Sequence, residues 1–320
     1  MVAALLKGES MAFVEVKLDG DEEIRFQTFL NYLRQFNLYL KQSSGTKQEL
    51  ANQIWQKSSR MQGAKDYSRE YLTRSLNLAW STETIACNFG LDDPSALKIF
   101  NHWKPIQIYY AIYSCAEALA HLLTSKDQFS HKECLRTVSA FMISTKISPW
   151  SYGFTGKIGK AGKEAKALNF PEDMKFEHNL KTANVRPIDL LATCLHAEHK
   201  KRVEDHHRER TSARKKGQKR VFKYDIDPGD TTLLHFAYRL RIRSNYDGAE
   251  MYMAALSDQH IKDFDSLLKI FCDCTLMAIE IPIMRKITKN KFFELREEFE
   301  QKVAMNETLK KRMNLYSALR

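Results

Sequence analysis

Apolar residues return every three or four positions along most of this chain, a spacing that predicts helices. Ile24, Phe26, Phe29, Leu30, Leu33, Phe36 and Leu40 mark the first, over Asp21–Leu40, and Ser43–Gly45 breaks it. Helical stretches follow over Gln48–Arg60 and Tyr67–Ala86, then a turn cluster at Asn88–Pro94. Ser95–Thr124 reads as a long helix with a bend at Pro105, its wide apolar face including Tyr109, Tyr113, Ala116 and Leu119. Ser130, with Glu133 three residues on, is a capping-box start for the next helix. Pro187 opens another helix, through Ile188, Leu191 and Leu195. Phe264–Ile279 is predicted as a helix interrupted near Pro282, and Phe292–Leu319 as an amphipathic run packed on the body or on a second subunit. Alternation with a period of two appears at residues 12–18 and 221–226, which are expected to pair as strands. The expected fold is mainly α: a helical bundle with a minor two-stranded β element.

Composition narrows this only a little. With 320 residues, 43% of them apolar, and 12 glycines and 7 prolines, the chain can bury a large core with few helix breakers. Six scattered cysteines form no CxxC pair, so reduced, buried thiols and a cytoplasmic location are expected. The opening MVAALLKGES is too short an apolar run for a signal peptide, and no uncharged apolar stretch is long enough for a membrane span.

Charge adds a candidate partner. The net charge is +11, and residues 200–223 hold eleven Lys or Arg against Glu204, Asp205 and Glu209. Such a tract is either a solvated segment or a contact for polyanions. Gly153, Gly156, Gly159 and Gly162 lie among lysines over Trp150–Lys166, but Gly156-Lys157 is followed by Ile158 and the phosphate-loop spacing fails, so a flexible basic loop is expected. His196 and His199 stand three apart, yet HAEH matches no zinc-helix motif, so an exposed charged helix is expected, with no metal and no cofactor.

The richest stretch is Leu233–Met253, LLHFAYRLRIRSNYDGAEMYM, with Arg239, Arg241 and Arg243 on alternate positions. At about 100° per residue, His235, Arg239, Arg243 and Tyr246 share one strip of a helix. Guanidinium groups at a partly buried surface point either to a bound anion or to an internal salt-bridge network.

Three pieces, in order, resemble the HEPN families of helical-bundle proteins. They are the run Tyr109–Leu119 (YYAIYSCAEAL), Phe129-Ser130-His131-Lys132, and Arg241-Ile242-Arg243-Ser244-Asn245-Tyr246, where Asn245 stands in place of the family's aspartate. The resemblance covers 102–147 and 231–257. It implies an N-terminal helical region (1–100), a HEPN-like core (101–285) with an insertion at 148–230, and a C-terminal amphipathic helix (286–320). Many HEPN proteins are metal-independent ribonucleases of toxin and defence systems, with an RxxxxHxY motif at a dimer interface. Aligned on Tyr246, that motif puts its arginine at Arg239 and its histidine at Ser244. Serine without assistance is a poor proton acceptor, so His235, one turn before Arg239, is the candidate stand-in. Arg202 and His207 offer a second formal match inside the basic tract, and His131 resembles a family residue.

The leading expectation is therefore an RNA-binding protein, degenerate as a ribonuclease, with Arg239, His235, Ser244 and Tyr246 as catalytic candidates. Arg241, Arg243 and Asn245 would contact nucleic acid, together with Arg214, Lys215, Lys216, Lys219 and Arg220 of the insertion. Its partners would be RNA or another polyanion and a second copy of the chain. The alternative is a non-catalytic interaction module, accessory or antitoxin-like, bound to a protein partner. A nucleotide or phosphate sensor is a third reading.

Overall fold

The computed structural model describes residues 21–60, 66–88, 93–157, 165–176, 186–212, 227–247, 252 and 257–319. In chain order these form α1 (Asp21–Ser44), α2 (Lys47–Lys57), α3 (Arg69–Asn88), α4 (Pro94–Thr124), α5 (His131–Thr145), β1 (Gly153–Thr155), β2 (Lys166–Leu168) and α6 (Pro187–Ser212). Then come β3 (Thr231–Thr232), α7 (Leu233–Ile242), a π turn (Arg243–Asp247), α8 (Asp258–Ile287), α9 (Lys289–Glu300) and α10 (Glu307–Ser317). The fold is mainly α, with one small antiparallel sheet. No described helix is long and apolar enough to cross a membrane.

Helices α4 and α8 are the spine. They pack most extensively on each other, with α3 along α4, and α1 and α2 along α8. Both are apolar on nearly every face, as central helices must be. The expected break at Pro282 does not occur: α8 runs through it to Ile287, and α4 runs likewise through Pro105. A proline removes one backbone donor, and packing on all sides keeps the remaining turns in place. Cys115, Cys134, Cys194, Cys272 and Cys274 are buried, and all six cysteines are free thiols.

The sheet has the order β2-β1-β3, with Gly153 opposite Leu168 and Thr232. Residues 12–18 and 221–226, where strands were expected, lie outside the described residues. The strand β1 falls instead in the stretch expected to be a flexible basic loop, and the first half of that stretch is anchored. Trp150 and Phe154 are buried with Tyr152 between them, and the Trp150 indole donates to Thr275 Oγ1 at 3.1 Å. A side chain at position 153 would put its Cβ 2.3 Å from the Thr231 carbonyl oxygen, so only glycine lets β1 and β3 approach. The alternation of Trp150, Tyr152 and Phe154 was the overlooked strand signal.

The C-terminal run is two helices rather than one, with Asn306 capping the second by accepting from the Leu309 N–H at 2.7 Å. Helix α10 buries a charge network in the core. The Arg312 guanidinium donates to both oxygens of Glu83, both of Glu280 and to Asp273 Oδ1, at 2.6–3.1 Å. Trp80 and Tyr316 also donate to Glu280, and Lys47 donates to Asp273 Oδ2 at 2.5 Å. Burial pushes the Asp273 carboxyl up, but Lys47 and Arg312 outweigh it and hold the group below its ordinary value.

Candidate functional site

The start of α7 is fixed by two histidines. His235 Nδ1 accepts the Thr232 N–H at 3.2 Å, closing the first turn. That places the ring proton on Nε2. His235 is 4% exposed, and burial, with Arg202 and His199 nearby, holds its pKa well below the usual range. The ring is therefore neutral, with its one acceptor nitrogen already engaged. His199 was expected on an exposed face, but it is fully buried. Its Nε2 donates to the Gly156 carbonyl at 2.9 Å, and its Nδ1 lies 2.8 Å from Thr231 Oγ1. Arg202 donates to the carbonyls of Pro228 and Asp230 and to Thr231 Oγ1, tying α6 to the turn before β3.

The three arginines of α7 diverge. Arg241 sits over the rings of Tyr109, Tyr110 and Tyr238 at 5.3–5.8 Å and donates to Tyr110 Oη at 3.1 Å. Beside this cage, His131 Nδ1 is 2.7 Å from Tyr109 Oη, and burial and the Arg241 charge lower its pKa. Arg243 begins the π turn and is half-buried. Arg239 turns to the opposite side of the helix and faces α6. There its Nε is 3.9 Å from Glu198 Oε2 and its Nη1 is 3.8 Å from Asp205 Oδ2. Both separations exceed hydrogen-bond length. The Arg239 side chain is 11% exposed and makes no hydrogen bond among the described residues.

Arg239 and Glu198 open on a cleft of ≈ 730 Å³ between the start of α5, the middle of α6, α7 and the turn at Pro228–Asp230. Its cations are Lys132, Arg136, Arg202 and Arg239; its acids are Glu133, Glu198, Asp205 and Asp230. Glu198 stands out among these. Burial pushes its carboxyl up to about 7, against the opposing pull of Arg239 and Arg202. Its side chain, too, makes no hydrogen bond among the described residues. A cleft of this size with a few convergent polar groups is the usual form of a ligand site.

Of the catalytic and nucleic-acid candidates singled out from sequence, the structure brings His235 and Arg239 to this cleft, together with Arg202 of the second formal match. Ser244 is fully buried, its hydroxyl 3.0 Å from both Leu240 O and Tyr252 Oη, and its carbonyl oxygen is 2.7 Å from His102 Nε2. Even at 100° per residue Ser244 falls about 140° from Arg239, off the strip of His235, Arg239 and Arg243 and toward the core. Arg241 and Arg243 are not part of the cleft lining, and Asn245 is exposed. Tyr246 lies in the π turn, and its side chain, like that of His207, lies outside the described residues. So do Arg214, Lys215, Lys216, Lys219 and Arg220. In sequence these five lie between the cleft-lining His206 of α6 and the cleft-lining Pro228.

Sequence reading missed Glu198 and Asp205 by treating α6 as exposed beyond Leu195. A signal was present: Leu191, Leu195, Glu198, Arg202 and Asp205 continue one face at helical spacing. Charged residues in register with an apolar stripe are carried into the interior or its edge. Among the described residues, no three His, Cys, Asp or Glu side chains are grouped to hold a metal ion.

Fold and site together define a mainly helical protein with a mixed-charge cleft built on α5, α6 and α7. No family model, curated protein or solved structure matches this chain.

Proposed function

We propose that this protein binds RNA, or a closely similar polyanion, in the α5–α6–α7 cleft, with Arg239 holding a backbone phosphate and the basic segment after α6 adding affinity. One observation carries the reading: the Arg239 guanidinium is nearly buried, lines a large cleft and makes no hydrogen bond among the described residues. A guanidinium is suited to phosphate recognition because its planar fork can donate two parallel bonds. The tract at 200–223, with eleven cations against three acids, includes the cleft-lining Arg202, Asp205 and His206 and precedes Pro228 in sequence. The motif order shared with HEPN proteins supports the same reading, and would associate the chain with the toxin and defence ribonucleases of that group. With Ser244 buried and His235 committed to capping α7, binding rather than cleavage is the activity proposed.

The test is binding of a fluorescent single-stranded RNA at several salt concentrations. Arg239→Ala should weaken binding at every salt concentration. Changing Arg214, Lys215, Lys216, Lys219 and Arg220 together to Gln should flatten the salt dependence, by roughly 3.5 in slope if each cation neutralises one phosphate. Wild type that fails to bind at low salt, or a slope unchanged by the five substitutions, ends the proposal.

A second reading, an interaction module, is favoured by the exposed Ile99 and Trp103, one turn apart on α4, with Trp103 53% exposed. If that face carries a contact between copies, Trp103→Ser converts an oligomer to monomer in sedimentation; a wild-type monomer at high concentration removes the self-association form of this reading.

A further inference from the structure

Arg239 and Glu198 face each other across 3.9 Å without touching, and both side chains are otherwise unbonded among the described residues. They form a loose ion pair at the cleft wall, and their polar atoms keep hydrogen-bonding capacity that neither uses on the other. A ligand that engages both must offer an acceptor and a donor on neighbouring atoms. A DNA backbone cannot do this, because phosphates and deoxyribose within a strand present acceptors only. An RNA backbone places a hydroxyl beside every 3′ phosphate.

We infer that Glu198 accepts the ribose 2′-hydroxyl next to the phosphate held by Arg239, and so is the residue that separates RNA from DNA. This deepens the RNA-binding reading and rests on it. The opposing effect on DNA follows from the same placement. An ionised carboxylate set against a phosphate, with no donor between them, repels the strand. Glu198 therefore acts twice, as an acceptor for RNA and as a penalty for DNA. The two charged groups nearest this pair, Arg202 and Asp205, are otherwise engaged. Arg202 is committed to the carbonyls of Pro228 and Asp230, and the Asp205 carboxylate lies at 43% exposure, where water solvates it.

The experiment compares three single strands of one base sequence at pH 8, where Glu198 is ionised: RNA, DNA with deoxyuridine, and 2′-O-methyl RNA, which keeps the oxygen and loses the donor. Wild type should prefer RNA on the order of tenfold, the usual value of a charge-assisted hydrogen bond, with the methylated strand binding like DNA. Glu198→Gln and Glu198→Ala should gain DNA affinity and bring the ratio toward one, while Arg239→Ala loses affinity for all three strands. Thermal unfolding confirms that each variant is folded. If wild type binds RNA and DNA equally, or if both Glu198 variants keep the wild-type ratio, the inference is overturned and polyanion binding still stands. If wild type binds no strand at low salt, the underlying reading fails with it.

Discussion

Arg312 and Arg239 are both buried arginines that face carboxylates, and they use their donors in opposite ways. Arg312 has all five N–H groups bonded to Glu83, Glu280 and Asp273, and its side chain is 0% exposed. Arg239 has two acids within 4 Å and bonds neither. The charge types are the same; saturation is what differs. A closed network locks α10 against α3 and α8, and leaves nothing over for a ligand. An open pair keeps donor and acceptor capacity at the wall of a cleft, where only a visitor can use it. This contrast distinguishes scaffold from site without any appeal to residue type.

Breaking the closed network should give the largest effect. Arg312→Met leaves three buried carboxylates of which, among the described residues, only Asp273 keeps a bonded cation, Lys47, and should cost about 3–5 kcal/mol in urea unfolding. The matching change, Arg239→Met, should cost less, about 1–2 kcal/mol, because no hydrogen bond is lost and only the charge that opposes the burial of Glu198 is removed. Equal losses at the two positions would remove the distinction.

Glu198→Gln should come next, with the opposite sign. Burial raises the Glu198 carboxyl from its ordinary 4.5 to about 7, so between those values the native state holds this proton more tightly than the unfolded state. Stability contributed by this group therefore falls as pH rises from 4.5 to 7 and is level above that. Glutamine resembles the protonated form, so the variant should gain up to about 3 kcal/mol at pH 8 and nothing near pH 4.5. A gain of the same size at both pH values would show that Glu198 is not the strained acid the cleft implies.

The smallest expected effect is at Ser244. Ser244→Ala removes a buried hydroxyl bonded to Leu240 and Tyr252, and should cost about 1 kcal/mol while leaving RNA affinity unchanged. A tenfold drop in affinity would instead return Ser244 to the binding surface and shift the site from the cleft to the π turn.

Much of the architecture was legible because apolar periodicity is a local property. The series from Ile24 to Leu40 predicted α1, Ser130 with Glu133 predicted the start of α5, and Pro187 predicted the start of α6. The errors arose where distant packing overrode a local rule. Pro282 sits in a continuous helix because α8 is enclosed by its neighbours, and β1 forms in a glycine- and lysine-rich stretch because Trp150 and Phe154 are buried in the core. The site was only half legible. Arg239 and His235 stood out on α7, but Glu198 lies on a helix 41 positions earlier in the chain.

By itself, the sequence determined which segments are helical, which faces of them are buried, and where positive charge collects, since each depends on spacing and on side-chain chemistry within a few turns. Only the tertiary structure decided what each arginine does. Arg312 meets Glu83 across 229 positions of sequence, and Arg241 meets Tyr110 across 131. Whether a guanidinium is spent or spare depends on acceptors brought within 3 Å by folding, and no local pattern encodes that distance.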